Sequence, residues 1–192
     1  MSIPQDISGD KLGQIRKAAL DVFLLYGFKR TSMEDIAQAA GISRAALYLH
    51  FRNKRDIFRS LTLGLYEQGQ TRLQATLDAS APVAETLSAA LRAKDDGTID
   101  RVLNSPHGVE LMGVGQEAAS DIVKQSEAAL SVLLASYFQS VADNRGIAPQ
   151  TPPEELAEHI KDIHLSLMKG GKLDAKRYSL LGRTAAALLG VD

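Results

Sequence analysis

Apolar residues recur along this chain at intervals of three and four rather than two, the period of a helix with one buried face. Ile15, Ala18, Ala19, Val22, Phe23 and Tyr26 fall at that spacing, and Gly27 follows as a natural C-terminal stop. A second helix is predicted from about Ser32 to Ala40, with Ile36, Ala37 and Ala40 on its inner face. Thr31, followed by Glu34 three residues on, makes a capping-box pattern for its start. Gly41 breaks that helix, and Ser43 suits the N-cap of a third, short one through about Phe51. Asn53, with Asp56 three residues later, caps a longer fourth helix carrying Ile57, Phe58, Leu61 and Leu65 on one side.

The pattern continues, less sharply, to the end. Residues 82–94 read as helix, with Asp95-Asp96-Gly97 as a loop after them and Asn104-Ser105-Pro106-His107-Gly108 as a further break. One long helix is expected over about Glu117 to Asp143, followed by a Pro-rich connector at 148–153. Two last helices, about Glu154–Lys169 and Ala175–Leu189, are separated by Gly170-Gly171. No stretch alternates apolar and polar residues as a strand would, so the expected class is all-α.

Composition narrows the chemistry. Among 192 residues there is no Cys, which excludes disulfides, zinc–thiolate centres, iron–sulfur clusters and a cysteine nucleophile. No apolar run approaches the roughly 18 residues that span a bilayer, and the first residues lack a signal-peptide pattern, so a soluble, cytoplasmic protein is expected. The formal charge of −1 conceals a division: residues 1–60 carry ten Lys/Arg and six acids, whereas residues 61–192 carry 12 and 17. A basic head on an acidic body is the electrostatic outline of a chain that meets phosphate at one end, although a solvated surface gives the same count.

Three short helices with a Gly-containing turn between the second and third are the arrangement of a helix-turn-helix, whose third helix enters the major groove. Ile36, Ala37, Ala40, Ile42 and Leu47 can pack the pair together, leaving Arg44, Ala45, Ala46, Tyr48, Leu49 and His50 outward. Arg44 suits bidentate contact to guanine, and Ala45 and Ala46 suit thymine methyl groups. Thr31, Ser32, Ser43, Tyr48, His50 and Lys54 are candidates for phosphate. Lys54 stands at a helix start, where its charge opposes the helix dipole, which suggests an external partner.

The run Gly27-Phe28, Thr31 to Lys54, with I-A-x-x-A-G-I-S and Tyr48-x-His50-Phe51, resembles the N-terminal domain of TetR/AcrR-family transcriptional regulators over roughly Ile15 to Leu65. The resemblance implies an all-α homodimer with a DNA-binding domain at about 1–52 and a ligand-binding and dimerisation bundle at 53–192. It also implies a repressor that leaves a palindromic double-stranded operator when a small-molecule effector binds. By motif position it assigns DNA contact to Thr31, Ser32, Ser43, Arg44, Tyr48, His50 and Lys54. The chain departs from many relatives at Ala45 and Ala46. The last two helices, about 154–189, would then form the dimer interface, with the stripes Ile160, Ile163, Leu167 and Tyr178, Leu181, Ala185, Leu188 as core or contact.

Other constellations are thinner. Gly113-Val114-Gly115-Gln116-Glu117-Ala118 fits a dinucleotide-binding fingerprint, but no strand precedes it. His159 and His164 have the wrong spacing for one helical face and read as surface or interface residues; no metal, cofactor or catalytic triad is expected. Tyr66, Arg72, His107, Met112, Gln116, Tyr137 and Phe138 are nominated as effector-pocket residues because bundle pockets form from such mixtures. Two rival readings stay open: a helical small-molecule-binding protein with a vestigial head, and a DNA binder without an effector.

Overall fold

A computed structural model gives the fold and describes residues 7–169 and 174–191. Among them every regular element is a helix: α1 (Ile7–Tyr26), α2 (Met33–Ala39), α3 (Arg44–His50), α4 (Lys54–Thr76), α5 (Val83–Asp95), α6 (Thr98–Leu103), α7 (Gly108–Ala118), α8 (Ser120–Arg145), α9 (Pro153–Lys169) and α10 (Ala175–Leu189). The expected breaks at Gly27, Gly41 and Asp95–Gly97 are all present, and each of these glycines has positive φ. Gly170-Gly171 lies outside the described residues.

The chain divides into two compact units. The first comprises the described residues up to Leu65 together with Arg101–Val123, and its core joins Ile15, Ala19 and Phe23 of α1 to Ile36, Leu47, Ile57 and Leu111. Phe23, Phe28 and Phe58 meet there with ring centroids 5.3–5.8 Å apart. The second comprises Tyr66–Asp100 and the described residues from Lys124 onward. Its core is built from Leu87 and Leu91, Leu134 and Phe138, Leu156 and Ile160, and Leu181, Ala185 and Leu189.

Two features depart from the sequence expectation. Residues 98–118 form α6 and α7, and α8 starts afresh at Ser120 after the α7 C-cap Ala119. The dinucleotide-like fingerprint is therefore the second half of α7, a helix interior without the strand-to-helix turn such a site requires. His164, expected at the surface or an interface, is completely buried within the second unit.

Candidate nucleic-acid interface

The capping box at the start of α2 is shifted by one residue from the expected one. Ser32 is the N-cap: its Oγ accepts from the Asp35 backbone N–H at 3.2 Å, and Asp35 Oδ2 accepts from the Ser32 N–H at 2.8 Å. The Ser32 hydroxyl and N–H hold the Asp35 carboxyl below its ordinary pKa. Thr31 is only 2% exposed, and its hydroxyl donates to the Gly27 carbonyl at 2.7 Å. Its side chain is therefore part of the α1–α2 connection, which corrects its assignment as a phosphate contact.

Ser43 caps α3 as expected, its Oγ accepting from the Ala46 N–H at 3.1 Å. Leu47 is the buried residue of α3, and it sets the helix's rotation. With Leu47 turned in, Arg44, Ala45, Tyr48, Leu49 and His50 are exposed and Ala46 is half-buried. Arg44 lies 4.0 Å from Glu34 and its guanidinium carbon 5.6 Å from the Tyr48 ring centroid. These exposed contacts aim the side chain but leave it free to be recruited by a base or phosphate.

Asn53 caps α4, accepting from the Asp56 N–H at 2.9 Å. Lys54 departs from expectation. Its Nζ donates to the carbonyls of Phe28, Lys29 and Thr31 at 2.7, 3.0 and 2.9 Å and lies 4.8 Å from the Phe28 ring centroid. An ammonium has three N–H donors, and all three are used within the chain. Within the chain, the charge at this unfavourable place on the helix dipole is met by carbonyls of the α1–α2 connection.

The model for bacterial regulatory proteins of the tetR family matches residues 15–61, the segment that carries this geometry. Residues 15–61 are thus a TetR-family N-terminal domain. It is 23% identical over 146 residues to the uncharacterized helix-turn-helix-type transcriptional regulator YhgD of Bacillus subtilis, covering 76% of each chain. It is 41% identical over 59 residues to the transcriptional repressor BepR of Brucella suis, 30% of this chain and 28% of that one. Among solved structures the fold resembles that of the SmeT–triclosan complex, with a TM-score of 0.64, 18% identity and coverage of 93% and 90%. With this domain the chain is a DNA-binding transcriptional regulator.

The nominated pocket residues fall in both units. His107, Met112 and Gln116 belong to the first unit, whereas Tyr66, Arg72, Tyr137 and Phe138 belong to the second. Phe138 is wholly buried core. Arg72 is committed to the carbonyls of Ala93 and Lys94, at 2.8 and 3.0 Å, and to Asp96 at 2.8 Å. Burial pushes the Tyr66 and Tyr137 hydroxyls each up to about 12, so both stay protonated donors. A depression of about 220 Å³ in the first unit is lined by Leu25, Tyr26, Arg30, Asp35 and His107, and includes only His107 of the seven.

Sequence reasoning also missed Glu110, whose Oε1 accepts from the Lys29 N–H at 2.8 Å. It missed Arg59 as well, which makes a two-pronged pair with Asp121 at 2.6 and 2.7 Å and donates to the Ala118 carbonyl. These partners lie 59 to 81 residues apart and leave no local spacing to read.

Proposed function

We propose that the chain is a ligand-responsive repressor that binds a palindromic operator as a homodimer, with no catalytic step, in the cytoplasm. The DNA-binding domain is residues 1–52 and the effector-binding and dimerisation domain residues 53–192. The observation that carries the reading is the orientation of α3: Leu47 inward, with Arg44, Ala45, Tyr48 and His50 outward. Arg44 reads guanine, Ala45 and Ala46 meet thymine methyls, and Ser32, Ser43, Tyr48 and His50 contact phosphate. BepR is by name a repressor and the SmeT structure is a complex with triclosan, which supports repression relieved by a small molecule. Tyr66 and Tyr137, protonated donors in the second unit, are the nominated residues retained for the effector.

The dimer forms through α9 and α10. Ile163 and Leu188 are exposed although the rest of their stripes is largely buried, and Leu180 of α10 is exposed as well. Apolar side chains left outward on adjacent helices suit a four-helix interface with a second copy.

The test is enrichment of a duplex from a randomised library by the full chain, followed by binding titrations. Wild type should prefer the enriched duplex over random DNA by 10³-fold or more. Arg44→Ala should lose about tenfold or more and accept other bases at one position of each half-site. Equal affinity of wild type for enriched and random duplex would overturn the reading. In sedimentation the wild type should run as two chains and Leu180→Glu as one; a monomeric wild type would remove the dimer.

A further inference from the structure

The rotation of α3 decides which of its side chains reach furthest from the first unit. Leu47 is wholly buried and joins Ile36 and Ala37 of α2 in the core, so it points inward. At about 100° per residue, Ala45 and Leu49 each lie about 160° from it, which makes them the crest of the helix. Tyr48 and Ala46 lie about 100° from Leu47, and Arg44 and His50 about 60°, so these four form the two flanks. Exposure agrees: Leu49 is 85% exposed and Tyr48 44%, while Ala46 is half-buried. Arg44 leans to one side, 4.0 Å from Glu34 of α2 and 5.6 Å from the Tyr48 ring centroid. The polar groups of α3 thus stand on its flanks, and its crest is apolar.

We propose that Leu49 is a specificity-determining residue that reads a thymine methyl group in the major groove. The inference rests on the DNA-binding reading of α3 and deepens it. An exposed leucine is ordinary surface by itself. Its place on the crest, continuous with the proposed DNA-contacting side chains of the same helix, is what selects its partner. A helix lying in the major groove turns its crest to the base edges and its flanks to the two phosphate backbones. Among the groups on those edges only the thymine 5-methyl projects as an apolar one; the others are hydrogen-bond donors and acceptors. A leucine pressed on an amino or carbonyl group would take its water without offering a bond, so Leu49 disfavours other bases as well as favouring thymine. Its side chain extends two bonds beyond an alanine methyl, so it meets a thymine that Ala45 and Ala46 do not reach.

The experiment replaces each thymine of the enriched duplex in turn by uracil, in both half-sites at once, and titrates full-length wild type and Leu49→Ala. Uracil pairs as thymine does and lacks only the methyl. Stoichiometric titration corrects each protein for its active fraction. At one thymine per half-site the wild type should lose about fourfold per head, the worth of one buried methyl, and so about 15-fold as a dimer. Leu49→Ala should bind the thymine duplex more weakly than wild type by at least that factor, and at this one position it should be indifferent to uracil. At thymines met by Ala45 or Ala46 the two proteins should lose equally. If Leu49→Ala were weaker than wild type by the same factor on every thymine and uracil duplex, the leucine would be touching sugar or backbone, and the proposal would be overturned. Leu49→Ala binding as tightly as wild type, or a wild type indifferent to uracil throughout, would overturn it too. A wild type that binds enriched and random duplex equally removes the DNA-binding reading and the proposal together. One that selects a duplex but shows no thymine coupled to Leu49 removes the proposal alone.

Discussion

His164 Nε2 lies 2.7 Å from Asp95 Oδ2, with the imidazole wholly buried in the second unit. The same carboxylate accepts the Tyr178 hydroxyl at 2.6 Å and the Lys94 ammonium at 3.1 Å, so α5, α9 and α10 converge on one charge. An ionised carboxylate can only accept, so His164 Nε2 is the donor of this bond, while Nδ1 is buried without a hydrogen-bond partner. Burial pushes the Asp95 carboxyl up, but the hydrogen bond from His164, the Lys94 charge and the Tyr178 hydroxyl pull harder, to about 2. Because this lies below the unfolded value, the stabilisation is complete above about pH 4 and is lost as pH falls towards 2.

Asp95→Asn should therefore destabilise the chain by about 3 kcal/mol near neutral pH, since an amide beside Lys94 leaves a buried ammonium without its counter-charge. Between about pH 4 and pH 2 the variant should lose on the order of 2 kcal/mol less stability than wild type. Urea unfolding at a series of pH values measures both. Parallel acid profiles in the two proteins would show that the carboxylate carries no such stability.

Gly182 of α10 faces the backbone of α5. A Cβ added there would overlap the Ala84 carbonyl oxygen, a backbone atom that cannot swing aside as a side chain can. Gly182→Ala gains helix propensity of about 1 kcal/mol but must force the two helices apart at the most extensive helix–helix contact of the second unit. Overpacking of a close contact costs about 1–3 kcal/mol, and here the obstacle is rigid. The expected net effect is a loss of at least 1 kcal/mol, read as a lower urea midpoint with unchanged m-value. A stabilised variant would mean that α5 and α10 separate freely.

The helical pattern was legible because each buried stripe is local: Ile15, Ala19 and Phe23, or Ile57, Phe58 and Leu61, lie within one helix. Caps at Ser43 and Asn53 were legible for the same reason. The α2 cap was misread by one residue because Thr31-x-x-Glu34 and Ser32-x-x-Asp35 both satisfy the pattern, and only burial of Thr31 decides between them. α7 escaped notice because Gly108, Gly113 and Gly115 lower its intrinsic propensity, while Leu111 and Ala118 are buried in the first unit. The fate of Lys54, and the Asp95–His164 pair 69 residues apart, depend on chain segments meeting in space, which no local spacing encodes.

The same burial separates Thr31 from Ser32 in function. Thr31→Val keeps the shape and removes a hydroxyl whose donor is spent on the Gly27 carbonyl. It should cost about 1 kcal/mol of stability and leave the salt dependence of DNA binding unchanged. Ser32→Ala removes an exposed N-cap and, with it, a proposed phosphate contact. It should cost about 1 kcal/mol of stability as well, but it should also weaken binding to enriched and random duplex alike. A neutral hydroxyl releases no counterion, so the salt slope should stay at its wild-type value in both variants, and the affinity itself is the discriminating measurement. If Thr31→Val, corrected for active fraction, weakened DNA binding as much as Ser32→Ala, the buried threonine would have to reach the DNA after all. In that event the α1–α2 connection would open on binding, and the clamp of Lys54 on the Thr31 carbonyl would have to release with it.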